Sequence, residues 1–239
     1  MIDFLMISTR SKKNGLIEIY PKFIIKKSSD LMIRGGDFYA IWIEERGLWS
    51  TDEQDALQLI DRELDRYAEE NRNRFDSNVK VLHMWDSESG MIDSWHKYCQ
   101  KQMRDSFHML DEKLIFSNTP TNKKDYASKR LGYPLEAGET PAYDKLMSTL
   151  YEEEERRKIE WAIGSIISGE SKKLQKFMVL YGAAGTGKST VLNIIQQLFE
   201  GYYSVFDAKA LGSSSNAFAL EAFKDNPLVA IQHDGDLSK

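Results

Sequence analysis

The stretch whose reading decides the fold is YGAAGTGKST, Tyr181–Thr190. Glycines stand at 182, 185 and 187, a lysine at 188, and hydroxyls at 186, 189 and 190. Before it runs the apolar FMVLYG (177–182), expected as a strand. After it runs KSTVLNIIQQLF (188–199), whose apolar spacing predicts a helix. From Gly182 to Ser189 every position fits G-x-x-x-x-G-K-[ST], in the strand-to-helix setting that this pattern needs. The residue types have physical reasons. Gly182, Gly185 and Gly187 can take backbone angles that a Cβ forbids, and they let main-chain N–H groups come close to an anion. The free N–H groups of a helix start, with its dipole, favour negative charge. The expected ligand is a nucleoside triphosphate, cradled by Gly182, Ala183, Ala184, Gly185, Thr186, Gly187, Lys188, Ser189 and Thr190. Lys188 is expected to bridge the β- and γ-phosphates, and Ser189 to place its hydroxyl on Mg2+.

A nucleoside triphosphatase also needs carboxylates for the metal and the attacking water. LVAIQHDGDLS (228–238) offers them: an apolar strand run, then Asp234 and Asp236 past its C-terminal end, where ligands sit in open α/β sheets. Asp234 is assigned to Mg2+ and Asp236 to the water, although Gly235 separates acids that many ATPases keep adjacent. Between loop and acids, YYSVF reads as a short strand and SNAFALEAF as a helix. The order is β-α-β-α-β, as in a parallel sheet with helices on its faces. The spacing suits a sheet in which another strand lies between the loop strand and the acidic strand. That strand, its polar sensor residue and an arginine finger are expected beyond Lys239, so the chain is expected to be cut short, binding nucleotide but turning it over poorly.

Upstream, residues 16–49 read as β structure. LIEIYPKFII carries Pro21, which demands an edge or a bulge, and GGDFYAIWI follows a Gly-Gly turn. In STDEQDALQLIDRELDRYAEE, Ser50 or Thr51 is the expected N-cap, and Leu57, Ile60, Leu64 and Tyr67 form one stripe. VKVLHMW and EKLIFSN read as strands, and MIDSWHKYCQKQMRDSF as a helix. Residues 117–142, rich in Pro, Gly and small polar residues, read as a long ordered loop or a domain connection. YDKLMSTLYEEEERRKIEWAIGSIISG reads as one or two helices ending at Gly169. The expected division is an α+β domain at 1–116, linker and helices at 117–169, and the N-terminal part of a P-loop ATPase domain at 170–239.

The bulk numbers agree with an ordinary globular chain: 41% hydrophobic and 29% charged residues, with a net charge of -5. That average argues against nonspecific coating of nucleic acid and leaves room for a local basic face. One cysteine, Cys99, excludes an internal disulfide and a Cys-rich zinc cluster. With no signal peptide and no membrane-length apolar run, the expected place is the cytoplasm.

FMVLYGAAGTGKSTVLNIIQQLF with LVAIQHDGDLS resembles the superfamily 3 helicase module of phage and poxvirus primase-helicases. DFYAIWIEERGLWSTDEQDALQLIDREL resembles the domain preceding it in the phage proteins. LIFSNTPTNKKDYASKRLGYPLEAGETPAYDKL and KIEWAIGSIISG resemble the linking segment and lead-in helices. The likeness runs from about Leu16 onward. It implies an AAA+-like ATPase with an incomplete parallel sheet, assembling as a homo-hexameric ring and moving along single-stranded DNA in phage replication. A second reading is a noncatalytic nucleotide-binding or assembly module of a replication complex. A small-molecule kinase lacks a visible lid or acceptor-binding arginines.

NKKDYASKR offers further candidates: Lys123, Lys124, Lys129 and Arg130 for DNA phosphates, with Tyr126 for stacking, against a plain solvated loop. His83, His96 and Cys99 are read as ordinary residues rather than metal ligands. EEEERRK reads as an exposed helix face laced by ion pairs, and Trp42, Trp49 and Trp161 as core.

Overall fold

The structure is a computed structural model, and it describes residues 2–75, 78–102, 106–211, 220–224 and 226–233. The chain forms two compact units. One is Met1–Leu110 with Thr121–Ser128; the other is Asp111–Pro120 with Lys129–Lys239. Compactness thus divides the chain at 110/111, within the domain expected at 1–116, and at 120/121 and 128/129, inside the segment 117–142 read as a loop or connection.

In the first unit, β1 (Leu5–Ser11) pairs antiparallel with β2 (Ile17–Phe23), from Leu5↔Phe23 to Ser11↔Ile17. The second sheet is β3 (Leu31–Arg34), β4 (Asp37–Ile43) and β5 (Leu48–Ser50), all antiparallel. Its β3–β4 turn is the expected glycine pair, with φ of 66° at Gly35 and 96° at Gly36. Helix α1 (Glu53–Glu70) follows, then β6 (Val79–Val81) and α2 (Met91–Lys101). Strand β6 runs parallel to β2 but pairs only with Ile17–Ile19. One side of β2 is therefore open at Pro21, which lacks the N–H a central strand would need.

Alternation along β3 and β4 explains the core. Leu31, Ile33, Ile41 and Ile43 face Leu57, Ile60 and Leu64 of α1 and Trp95, Tyr98 and Cys99 of α2 in one buried cluster. Met32, Ala40 and Trp42 point the other way and meet Trp49 and Leu110. The second face is closed by 121–128, a strap. Trp49 donates its backbone N–H to the Ala127 carbonyl (2.8 Å) and its indole N–H to the Lys123 carbonyl (2.9 Å). Trp42 and Trp49 are core residues as expected.

The α1 stripe stands as read, but the cap is Asp52, whose carboxylate accepts from the Gln54 N–H (2.9 Å). The Ser50 hydroxyl donates instead to Asp55 (2.6 Å), which also takes Arg46 (2.7 Å). The Arg46 guanidinium, then the Ser50 hydroxyl, hold the Asp55 carboxyl below its usual range. A carboxylate depressed in the folded state adds stability above its unfolded pKa and loses it as pH falls through the folded one. Urea denaturation from about pH 6 to about pH 3 is expected to erase a wild-type advantage over Asp55→Asn. Arg46 is half-exposed, so that advantage is about 0.5–1 kcal/mol. A gap that stays constant across the window would contradict the assignment.

In the second unit, helix α3 (Pro141–Leu150) starts with Pro141, α4 spans Glu153–Ile167, and the short α5 spans Ser171–Leu174. The two main helices answer the one-or-two reading. EEEERRK behaves as expected: Arg157–Glu153 and Lys158–Glu154 pair one turn apart on α4. Helix α6 (Lys188–Leu198), β7 (Tyr203–Val205), α7 (Ala208–Leu211) and β8 (Val229–Ile231) complete it. Strands β7 and β8 are parallel, Tyr203↔Val229 to Val205↔Ile231. Val191, Ile195, Phe199 and Tyr202 pack with Met147 of α3, Ile159 of α4 and both strands in one core. The chain is mixed α/β with small sheets.

Three expectations are corrected. Residues 112–118 form no strand. Backbone bonds tie them to the chain ahead at two points among the described residues, Leu131 N–H to the Ile115 carbonyl (2.7 Å) and Ser117 N–H to the Tyr133 carbonyl (3.1 Å), too few for a strand. Residues 177–182 also form no strand, because no described segment pairs with them; Phe177 is 89% and Tyr181 94% exposed. An apolar run becomes a strand only when a neighbour satisfies its backbone. Trp161, read as core, is 53% exposed on α4. Most of the helix read at 215–223 lies outside the described residues; its end holds a 3-10 turn at Glu221–Phe223.

Candidate phosphate-binding loop

Residues 182–187 turn through a loop and enter α6 at Lys188. All three glycines take the conformations their type was expected to serve, with φ of 154° at Gly182, 80° at Gly185 and 82° at Gly187. Gly187 is doubly required. A Cβ there would lie 2.8 Å from Leu150 Cδ1, so a side chain at this left-handed position would also require the Leu150 side chain to give way. At Gly182 a Cβ would come within 3.3 Å of the Thr186 hydroxyl.

The Lys188 ammonium folds back over the loop. It donates to the carbonyls of Gly182 (2.9 Å) and Ala183 (2.6 Å) and approaches the Thr186 hydroxyl at 3.3 Å. The Thr186 hydroxyl donates to the Ala183 carbonyl (3.0 Å). The cation thus sits at the mouth of the turn, on carbonyl partners that an anionic oxygen can replace. Gly187 is the N-cap of α6 and no side chain caps the first turn, while Ser189 and Thr190 are exposed beside it. The dipole and N–H groups of an eleven-residue helix are open to solvent there. Val191, Ile195 and Phe199 hold the other face of the helix in the core, so the loop is anchored from behind. Triphosphate fits this donor set: backbone N–H groups, one ammonium, and the Ser189 hydroxyl for a divalent cation.

Asp234 and Asp236 lie outside the described residues. The strand leading to them is present as β8, and the residue just before them, His233, shares a hydrogen bond with Gln196 of α6 (3.0 Å). Sequence reasoning missed this link, since nothing in the motif marks Gln196. It lies about 12 Å along the helix from Lys188, at the 1.5 Å rise per residue.

The basic segment divides between the units. Lys123 pairs with the buried Asp30, and Tyr126 stacks on His108 at 4.1 Å between ring centroids. Lys124 is exposed. In the other unit, Arg130 donates to the Thr119 carbonyl (3.0 Å), and the Lys129 N–H donates to Asp111 (3.1 Å). Lys123, Tyr126 and Arg130 therefore have structural partners. Elsewhere, His83 bonds Asp65 (2.6 Å), His96 lies 3.5 Å from Glu53, and burial pushes the Cys99 thiol up to about 12. Among the described residues no three His, Cys, Asp or Glu side chains gather as a metal site, and no helix is long and apolar enough to cross a membrane.

Comparison of the chain with protein-family models, with curated proteins and with solved structures returns no match.

Proposed function

We propose that this chain binds Mg-ATP through Gly182–Thr190 and is the ATP-binding part of a phage replicative DNA helicase or primase-helicase. The observation that carries the reading is the loop itself. Three glycines at positive φ wrap a turn whose lysine ammonium already rests on replaceable carbonyls at an uncapped helix start. Ser189 and Asp234 hold the metal, Asp236 orients the attacking water, and a homo-oligomer couples hydrolysis to movement on single-stranded DNA. Support for the helicase part comes from the upstream segments that resemble that family.

The run at 177–182, largely exposed and with no strand partner among the described residues, favours a second reading, a noncatalytic nucleotide-binding module, because a working ATPase sheet needs that strand paired. Calorimetric titration with Mg-ATP tests the shared claim. Lys188→Ala is expected to weaken binding about a hundredfold, the equivalent of about 3 kcal/mol for a lost charge-assisted contact. Equal affinity in both proteins removes the assignment. ATPase assays with and without single-stranded DNA then separate the readings, since binding without DNA-stimulated hydrolysis favours the module.

A further inference from the structure

The acidic average of the chain conceals one basic groove. It opens in the first unit between β2 and α2, with a volume of about 450 Å3. Four cations line it: Arg10 from β1, Lys22 from β2, and Lys97 and Lys101 one turn apart on α2. All four are exposed. Arg10 is held by Glu18, which Lys12 also approaches. Lys22, Lys97 and Lys101 have no carboxylate partner among the described residues. Among the described residues no acidic side chain lines the groove, and Lys26 and Lys27, next in the chain after Ile25, are exposed.

The lining is also aromatic. Tyr20 lies under the Arg10 guanidinium, 5.2 Å from its ring centroid, while the partly buried Phe23 and the buried Tyr98, their centroids 5.2 Å apart, form an apolar floor that belongs to the core. The Tyr98 hydroxyl is buried with no hydrogen bond of good geometry; the Gln102 amide beside it donates to the Ile24 carbonyl at 3.5 Å. Ile25 is 61% exposed at the rim. Unneutralised lysines on both walls, beside the Tyr20 ring and an apolar floor, suit a chain that alternates phosphates with flat bases. A duplex hides those bases, and an acidic peptide has no use for the rings.

We infer that this groove binds single-stranded nucleic acid, with Lys22, Lys97 and Lys101 on phosphates and Tyr20 beneath a base. This names a surface for the strand in the reading above, yet it is independent of the nucleotide loop and is measured without nucleotide.

The test is fluorescence anisotropy of the full chain with a labelled oligothymidylate of about 15 nucleotides, within the range one binding fold covers, over a series of salt concentrations. Lys97→Ala/Lys101→Ala is expected to weaken binding at least about tenfold at low salt and to flatten the log–log salt slope by about 1.4, at about 0.7 for each lost phosphate contact on a single strand. Tyr20→Leu is expected to weaken binding several-fold with the slope unchanged. Arg157→Ala/Lys158→Ala, on the exposed face of α4, should bind as wild type does. Unchanged binding in the Lys97/Lys101 variant overturns the proposal, as does equal weakening by the α4 variant. Equal displacement of the oligonucleotide by polyaspartate or by anionic lipid vesicles overturns it as well.

Discussion

Gly187→Val is expected to abolish measurable Mg-ATP binding and to cost about 3 kcal/mol of stability. Two independent penalties meet at this residue. Its φ of 82° belongs to the left-handed region, where a β-branched side chain is most strained. Its Cβ would also stand 2.8 Å from Leu150 Cδ1. Either the Leu150 side chain turns aside or the loop opens, and opening moves the N–H groups proposed to face the phosphates. Gly187→Ala separates the causes. Adding Leu150→Ala should relieve the clash while leaving the backbone strain of about 1–2 kcal/mol. Calorimetry with Mg-ATP and urea denaturation read both effects. Wild-type affinity in the valine variant would falsify the role given to the loop.

The largest effect on stability is expected at Trp95. This side chain is fully buried at the centre of an aromatic cluster, with centroid distances of 5.8 Å to Phe4, 5.3 Å to Phe23 and 5.7 Å to Tyr98. Its indole N–H donates to Glu53 at the start of α1 (2.7 Å), so one residue joins both helices and the sheets. Trp95→Ala leaves a large void and a carboxylate without its donor, at a cost of about 3–5 kcal/mol. That is a large fraction of the stability of an ordinary domain, about 5–15 kcal/mol. Trp95→Phe keeps most of the volume and loses the hydrogen bond, so its cost should be about 1–2 kcal/mol. Urea midpoints and the near-ultraviolet dichroism report both variants. A cost below about 1 kcal/mol for alanine would show that the core collapses around the gap.

What the sequence made legible was local. The glycine loop could be read because its backbone angles are a property of single residues, and Gly182, Gly185 and Gly187 take them. The α1 stripe could be read because 3.6-residue periodicity is written into adjacent turns, and Leu57, Ile60 and Leu64 are buried. Pairing between distant segments was less visible. Strand β1 went unread because Leu5–Ser11 gains meaning only beside Ile17–Phe23. The runs at 112–118 and 177–182 have strand composition but no described partner along their length, and composition carries no information about partners. The cap moved from Ser50 or Thr51 to Asp52 because Ser50 is spent on Asp55, a contact set by the turn at Arg46. In the candidate site, His233 meeting Gln196 likewise depends on where β8 lies against α6.

The strap at 121–128 has a consequence for synthesis on the ribosome. A nascent chain ending near Leu110 already carries every strand and long helix of the first unit, yet the indole N–H of Trp49 and the carboxylate of Asp30 still lack the partners that Lys123 brings. Those partners emerge only after residues 111–120, which belong to the other unit, have left the exit tunnel. The N-terminal unit therefore matures late, and a fragment meant to hold it whole has to run to Ser128 and carry 111–120 with it.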